Sequence, residues 1–140
     1  MTRERAKVGS CHEFAFRESG DTRPLVLIID SDPQVIHVTR FILQRSGFRI
    51  EMAENGEKGL KMARELQPDV IVCDAALPRI DGCPILPLLK HTDRTAEIPV
   101  ILTSGGEGLG CEGMFTFLRK PFDTSALVEA TRNALLLHAV

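Results

Sequence analysis

The sequence has no marked excess of charge: 17 Lys and Arg stand against 19 Asp and Glu, a formal net charge of -2 over 140 residues. With a pI near 6.1, it lacks the electrostatic footprint of a nucleic-acid binder. Long hydrophobic runs are missing too. Stretches such as Ala134 to Leu137 fall far short of the roughly 20 apolar residues that a membrane span needs. Residues 1–24 carry charges of both signs and no central apolar stretch, so they do not read as a secretory signal. Cysteine is sparse and unpatterned. Cys11, Cys73, Cys83 and Cys111 form no CxxC pair and have no His at metal-ligand spacing. Reduced thiols in a cytoplasmic protein are expected rather than a disulfide or zinc framework. What the sequence does have is a 44% hydrophobic content, enough for one domain with its own core.

That content is unevenly placed. Residues 1–24 are polar and aperiodic, and are expected to form a mobile or loosely attached arm ahead of a domain over 25–140. Leu25 to Ile29 is a continuous apolar run, as in a strand covered on both faces. Asp32-Pro33 then supplies a helix N-cap and a first-turn proline. A helix over Pro33–Ser46, with Val35, Val38 and Ile42 at helical spacing, can close at Gly47. A weaker strand over Phe48–Ala53, a helix over Glu57–Leu66 and a buried strand over Asp69–Cys73 follow, the last ending at Asp74. Beyond a proline-bearing loop a short helix is expected around Ile85–His91, with Pro87 delaying or bending it. Strands over Pro99–Thr103 and Met114–Leu118 precede a final helix from Asp123 to about Leu137, with Leu127, Ala130, Ala134 and Leu137 on one face. Alternating strands and helices imply a parallel sheet with right-handed crossovers. The expected fold is therefore α/β: a flavodoxin-like, doubly wound five-stranded sheet in the order 2-1-3-4-5, with ligands outside the carboxyl ends of its strands.

The last residues of those strands are the chemically interesting ones. The first strand ends in Asp30-Ser31-Asp32, the third in Asp74 and the fourth in Thr103-Ser104, and the fifth runs into Lys120-Pro121. Each is ordinary alone: an Asp after a strand is commonly a cap or turn residue. Together they bring carboxylates, a hydroxyl and an ammonium to one rim. Clustered carboxylates repel, and Mg2+ is their natural neutraliser, using one or two carboxylates, water and phosphate oxygens. An Asp can accept a phosphoryl group as nucleophile, while Lys120 and Thr103 stabilise charge on the transferring oxygens.

Residues 25–137 resemble a response-regulator receiver domain. The matching stretches are Val26–Pro33, Ala53–Glu57, Pro68–Asp74, Leu77–Gly82, Pro99–Thr103 and Leu118–Phe122. The resemblance implies phosphorylation of Asp74 by a histidine kinase or phosphotransfer protein. It implies Mg2+ held by Asp30, Asp74 and the Ala76 backbone carbonyl, with Asp32 as a further candidate. Lys120 would contact the phosphoryl group, with a cis bond between Lys120 and Pro121. Thr103 and the aromatic at Phe117 would form the switch, Phe117 lacking the phenol hydroxyl frequent in the family. A receiver signals by binding. It is not a dedicated enzyme, although it can lose its phosphoryl group by its own chemistry.

Two departures stand out. Ser31 occupies the place of an acid that normally touches the metal, so Mg2+ affinity should fall. Between Thr103 and Lys120 the segment is short and carries Gly105, Gly106, Gly108, Gly110 and Gly113. Glycine disfavours helix by about 1 kcal/mol per residue, so the fourth helix is expected to be shortened or missing. That face normally mediates signalling and pairing, which leaves a homodimer open. With the last helix running almost to Val140, the leading expectation is a free-standing receiver acting on a downstream protein partner, without nucleic acid or membrane. The alternative is a pseudo-receiver, an interaction module that works without phosphorylation. A remote alternative from another class is a haloacid-dehalogenase-type phosphatase, with Asp30 as nucleophile and Asp32 as general acid.

Overall fold

Five short parallel strands organise the computed structural model, which describes residues 21–106 and 113–137. In chain order the elements are β1 (Leu25–Ile29), α1 (Pro33–Arg45), β2 (Arg49–Ala53), α2 (Gly56–Leu66) and β3 (Val70–Asp74). They continue with α3 (Ile85–Lys90), β4 (Val100–Ser104), β5 (Thr116–Arg119) and α4 (Thr124–Leu137). The sheet runs β2-β1-β3-β4-β5, every neighbouring pair parallel. This is the doubly wound order read from the sequence. Residues 1–20 of the expected N-terminal arm lie outside the described residues. So do residues 107–112, where the fourth family helix was expected to be short or missing.

β1 and β3 are apolar except for Asp74, which closes β3, because both faces are covered, and all ten of their residues are buried. On one face Leu27, Ile29, Ile71, Cys73, Val100 and Leu102 pack with Ala63 of α2 and Ile85, Leu86 and Leu89 of α3. On the other, Val26, Val70, Val72 and Ile101 pack with Leu43 of α1 and Leu127, Ala130 and Ala134 of α4. α2 approaches the sheet closely at Gly59. A Cβ there would meet three side-chain carbons of the fully buried Ile29 at 2.6–2.8 Å. Gly59→Ala should therefore destabilise the domain by roughly 1–2 kcal/mol, overpacking outweighing the gain in helix propensity. A raised urea midpoint would contradict this packing.

Local signals explain the helix ends. The Asp32 carboxylate accepts the Gln34 N–H at 2.9 Å, and Pro33 opens α1. Gly47, at φ +99°, closes it, and the Phe48 N–H turns back to the Leu43 carbonyl at 3.1 Å. Asn55 caps α2 through the Lys58 N–H at 2.8 Å.

Three expectations need correction. Val38 is 51% exposed, and α1 instead buries Thr39 and Leu43. Leu137 points outward with Leu136, at 69% and 72% exposure. Pro87 neither delays nor interrupts α3. As the third helical residue it falls where an N–H has no intrahelical acceptor in any case.

Candidate functional site at the carboxyl rim of the sheet

The rim is assembled by register. Asp74 pairs with Thr103 across β3 and β4, and the Ala75 N–H donates to the Thr103 carbonyl at 2.8 Å. Asp30 leaves β1 with its N–H on the Ala53 carbonyl of β2 at 3.1 Å. Lys120 leaves β5 with its N–H on the Ser104 carbonyl at 2.7 Å. Three strand ends thus hold Asp30, Asp74 and Lys120 through backbone bonds to their neighbours. The Lys120–Pro121 peptide is cis.

The side chains then converge. Lys120 Nζ lies 2.7 Å from Asp30 Oδ2 and 3.5 Å from Asp74 Oδ1. Asp30 is 2% exposed, Asp74 7% and Thr103 2%. The remaining Asp30 oxygen accepts the Asp32 N–H at 2.9 Å, and Asp74 Oδ1 also accepts the Ala76 N–H at 3.2 Å. Burial alone would lower the Lys120 pKa. The Asp30 hydrogen bond and the charges of both carboxylates outweigh it, and the ammonium is held above its ordinary value. The pocket is therefore a charged one that keeps its cation.

The other candidates fall around this centre. Ser31 and Asp32 are exposed, and Asp32 is engaged as the α1 cap. Ala76 stands two residues past Asp74. Phe117 pairs with Leu102 and packs against the core on the α2 and α3 side, so the Thr103 and Phe117 side chains belong to alternate positions of the sheet. Cys73, next to Asp74, is buried in that same core, and burial pushes its thiol well above the ordinary range. It is packing rather than chemistry. Among the described residues no three acids, cysteines or histidines gather as a metal cage. Two buried carboxylates, with oxygen donors from backbone and water, nevertheless suit a hard cation such as Mg2+, which commonly uses only one or two carboxylates.

Sequence reasoning missed one feature. A groove of about 440 Å³ runs beside the rim, lined by Asp32, Val35, Val38, Thr39, Pro121 and Phe122 as well as Lys120. The hint was in α1, where Val38 and Phe41 lie off the buried stripe and remain over half exposed.

Known proteins resemble this chain in sequence and in fold. The family model of the response regulator receiver domain matches residues 26–132. The DNA-binding dual master transcriptional regulator RpaA of Synechocystis is 36% identical over 119 residues, covering 80% of this chain and 49% of that protein. The transcriptional regulatory protein PrrA of Mycobacterium tuberculosis is 32% identical over 124 residues, covering 84% and 52%. The chain thus spans about half the length of these curated relatives. Among solved structures, a response regulator from Desulfuromonas acetoxidans superposes with a TM-score of 0.74 at 26% identity, covering 81% of this chain and 97% of that one. A receiver domain protein from Clostridium thermocellum gives 0.73 at 28% identity, covering 81% and 95%.

Proposed function

Because the chain belongs to the response regulator receiver family, we propose that Asp74 accepts a phosphoryl group from a histidine kinase or phosphotransfer protein and that the modified domain signals by binding a protein partner. The observation that carries this reading is the Lys120 ammonium set between Asp30 and Asp74, at the carboxyl rim of a parallel sheet. An Asp74 oxygen attacks phosphorus as the bond from phosphorus to the donor nitrogen breaks. Lys120 would supply a fixed positive charge for the transferring oxygens, and Thr103, the register partner of Asp74 one strand over, would donate its hydroxyl to them. Asp30 keeps Lys120 aimed into the pocket. Mg2+, when bound, would be held by Asp30, Asp74 and the Ala76 carbonyl, and would neutralise phosphoryl charge.

The phosphatase reading loses support here. Both Asp30 oxygens are engaged, one by Lys120 and one by the Asp32 N–H. Asp32, its general acid, faces the first turn of α1. The pseudo-receiver reading keeps one specific observation: among the described residues no third His, Cys, Asp or Glu joins Asp30 and Asp74 in a group that could hold a metal ion.

Amide NMR of the protein with Mg2+ and beryllofluoride, a phosphoryl mimic, separates the two. The phosphoacceptor reading predicts shifts at Asp30, Asp74, Thr103 and Lys120 that extend to Phe117. An unchanged spectrum would leave the pseudo-receiver.

A further inference from the structure

Among the described residues β4 and β5 are joined without a helix, whereas α1, α2 and α3 each lie in the crossover between two neighbouring strands in the chain. Parallel strands are usually joined through such a helix. By sequence, residues 107–112 bring one large apolar side chain, Leu109, to a face two strands wide. That face is apolar. Leu102 and Phe117, register partners in β4 and β5, lie on it, and Met114 packs against the same core. A cleft of about 530 Å³ opens beside α3, lined by Ala75, Leu77, Ile85, Leu86, Leu102 and Gly113.

The polar side chains around the cleft are basic. Lys90 and His91 line it at the carboxyl end of α3. Arg119 is exposed at the end of β5 and, by strand alternation, shares the face of Phe117 while Leu118 packs on the other. Lys90 Nζ donates to the Ala96 and Ile98 carbonyls at 3.1 and 2.8 Å, which leaves one ammonium proton for a further acceptor. Among the described residues no Asp or Glu lines the cleft. Glu97, whose charge acts on Lys90, is not part of the lining. β4 is five residues long, Val100–Ser104, or about 16 Å at the usual strand rise. A helix of about 11 residues has that length.

We propose that this cleft docks an amphipathic helix of a protein partner, with acidic residues flanking its apolar stripe, as a layer supplied in trans over β4 and β5. Apolar side chains of the partner at helical spacing enter between α3 and β5, and its carboxylates meet Lys90 and His91 at one end and Arg119 at the other. The inference goes beyond the phosphoacceptor reading and does not depend on it, because the cleft is present in the unmodified chain. A protein on which beryllofluoride had no effect would still have this site.

The probe is a helical peptide of about 14 residues, with Leu at i, i+3, i+4 and i+7 and Glu on the flanks. A control peptide carries Lys in place of Glu. Titrated into the intact chain, the Glu peptide should shift the amides of Leu86, Lys90, Leu102 and Phe117 and saturate with a Kd below about 1 mM. The Lys peptide should bind at least about tenfold more weakly. Lys90 holds two loop carbonyls and its loss endangers folding, so the test variants are His91→Glu and Arg119→Glu, both at exposed positions. Each should weaken the Glu peptide by about fivefold and strengthen the Lys peptide. Equal binding of the two peptides, no saturable binding, or shifts confined to α1 and α4 would overturn the proposal. So would shifts of the same cleft amides on diluting the protein alone, which would give the cleft to a second copy of this chain.

Discussion

Asp74→Asn should take up no phosphoryl group from a small-molecule phosphodonor in Mg2+ while keeping its fold. The expected result is a single unmodified intact mass beside a parent protein that gains an adduct. An amide oxygen is a far weaker nucleophile than a carboxylate and cannot form the acyl phosphate. The structural consequences should be small. Asn retains an oxygen for the Ala76 N–H, which Asp74 accepts at 3.2 Å. Lys120 retains its nearer partner, Asp30, at 2.7 Å. Persistence of the adduct in folded Asp74→Asn would move the acceptor elsewhere on the rim.

Ile71→Ala should have the largest effect on stability. Ile71 is fully buried in β3, the middle strand, with Leu27 of β1 and Val100 of β4 as its register partners. Its side chain belongs to the core between the sheet and the helices α2 and α3. Truncating such a residue removes transfer free energy and leaves a cavity, at a cost of roughly 2–5 kcal/mol. Against a typical net stability of about 5–15 kcal/mol, the urea midpoint should fall by a large fraction. Because β3 also carries Asp74, phosphoryl uptake should fall near the new unfolding midpoint. A midpoint within error of the parent would contradict this account of the core.

The strands were legible where burial is two-sided. β1 and β3 are uninterrupted apolar runs because neither has a polar face to show, and their ends placed Asp30 and Asp74 on the rim. β5 was read two residues early at its start, at Met114 instead of Thr116. It is a four-residue edge strand of partial burial, so the apolar pattern began before the ladder did. Helix faces were less legible. Val38 and Leu137 fit a helical stripe by spacing alone, and only the positions of α1 and α4 on the sheet decide which stripe is covered. The pairing within the site was not legible at all. The sequence puts Lys120 on the rim, ninety residues from Asp30, but contains nothing to say that its shorter contact is to Asp30 rather than Asp74. That preference comes from where β5 ends relative to β1, a three-dimensional fact. The same applies to Asp32: its place after β1 left its contacts open, and the structure shows its Oδ1 capping α1 on the Gln34 N–H.

The most direct test of the central claim is to find the residue that carries the phosphoryl group. The protein would be treated with a small-molecule phosphodonor and Mg2+, reduced with borohydride to mark the acyl phosphate, digested and mapped by mass spectrometry. The account predicts the mark on Asp74 alone. A mark on Asp30, or none on a protein shown to be folded, would contradict it.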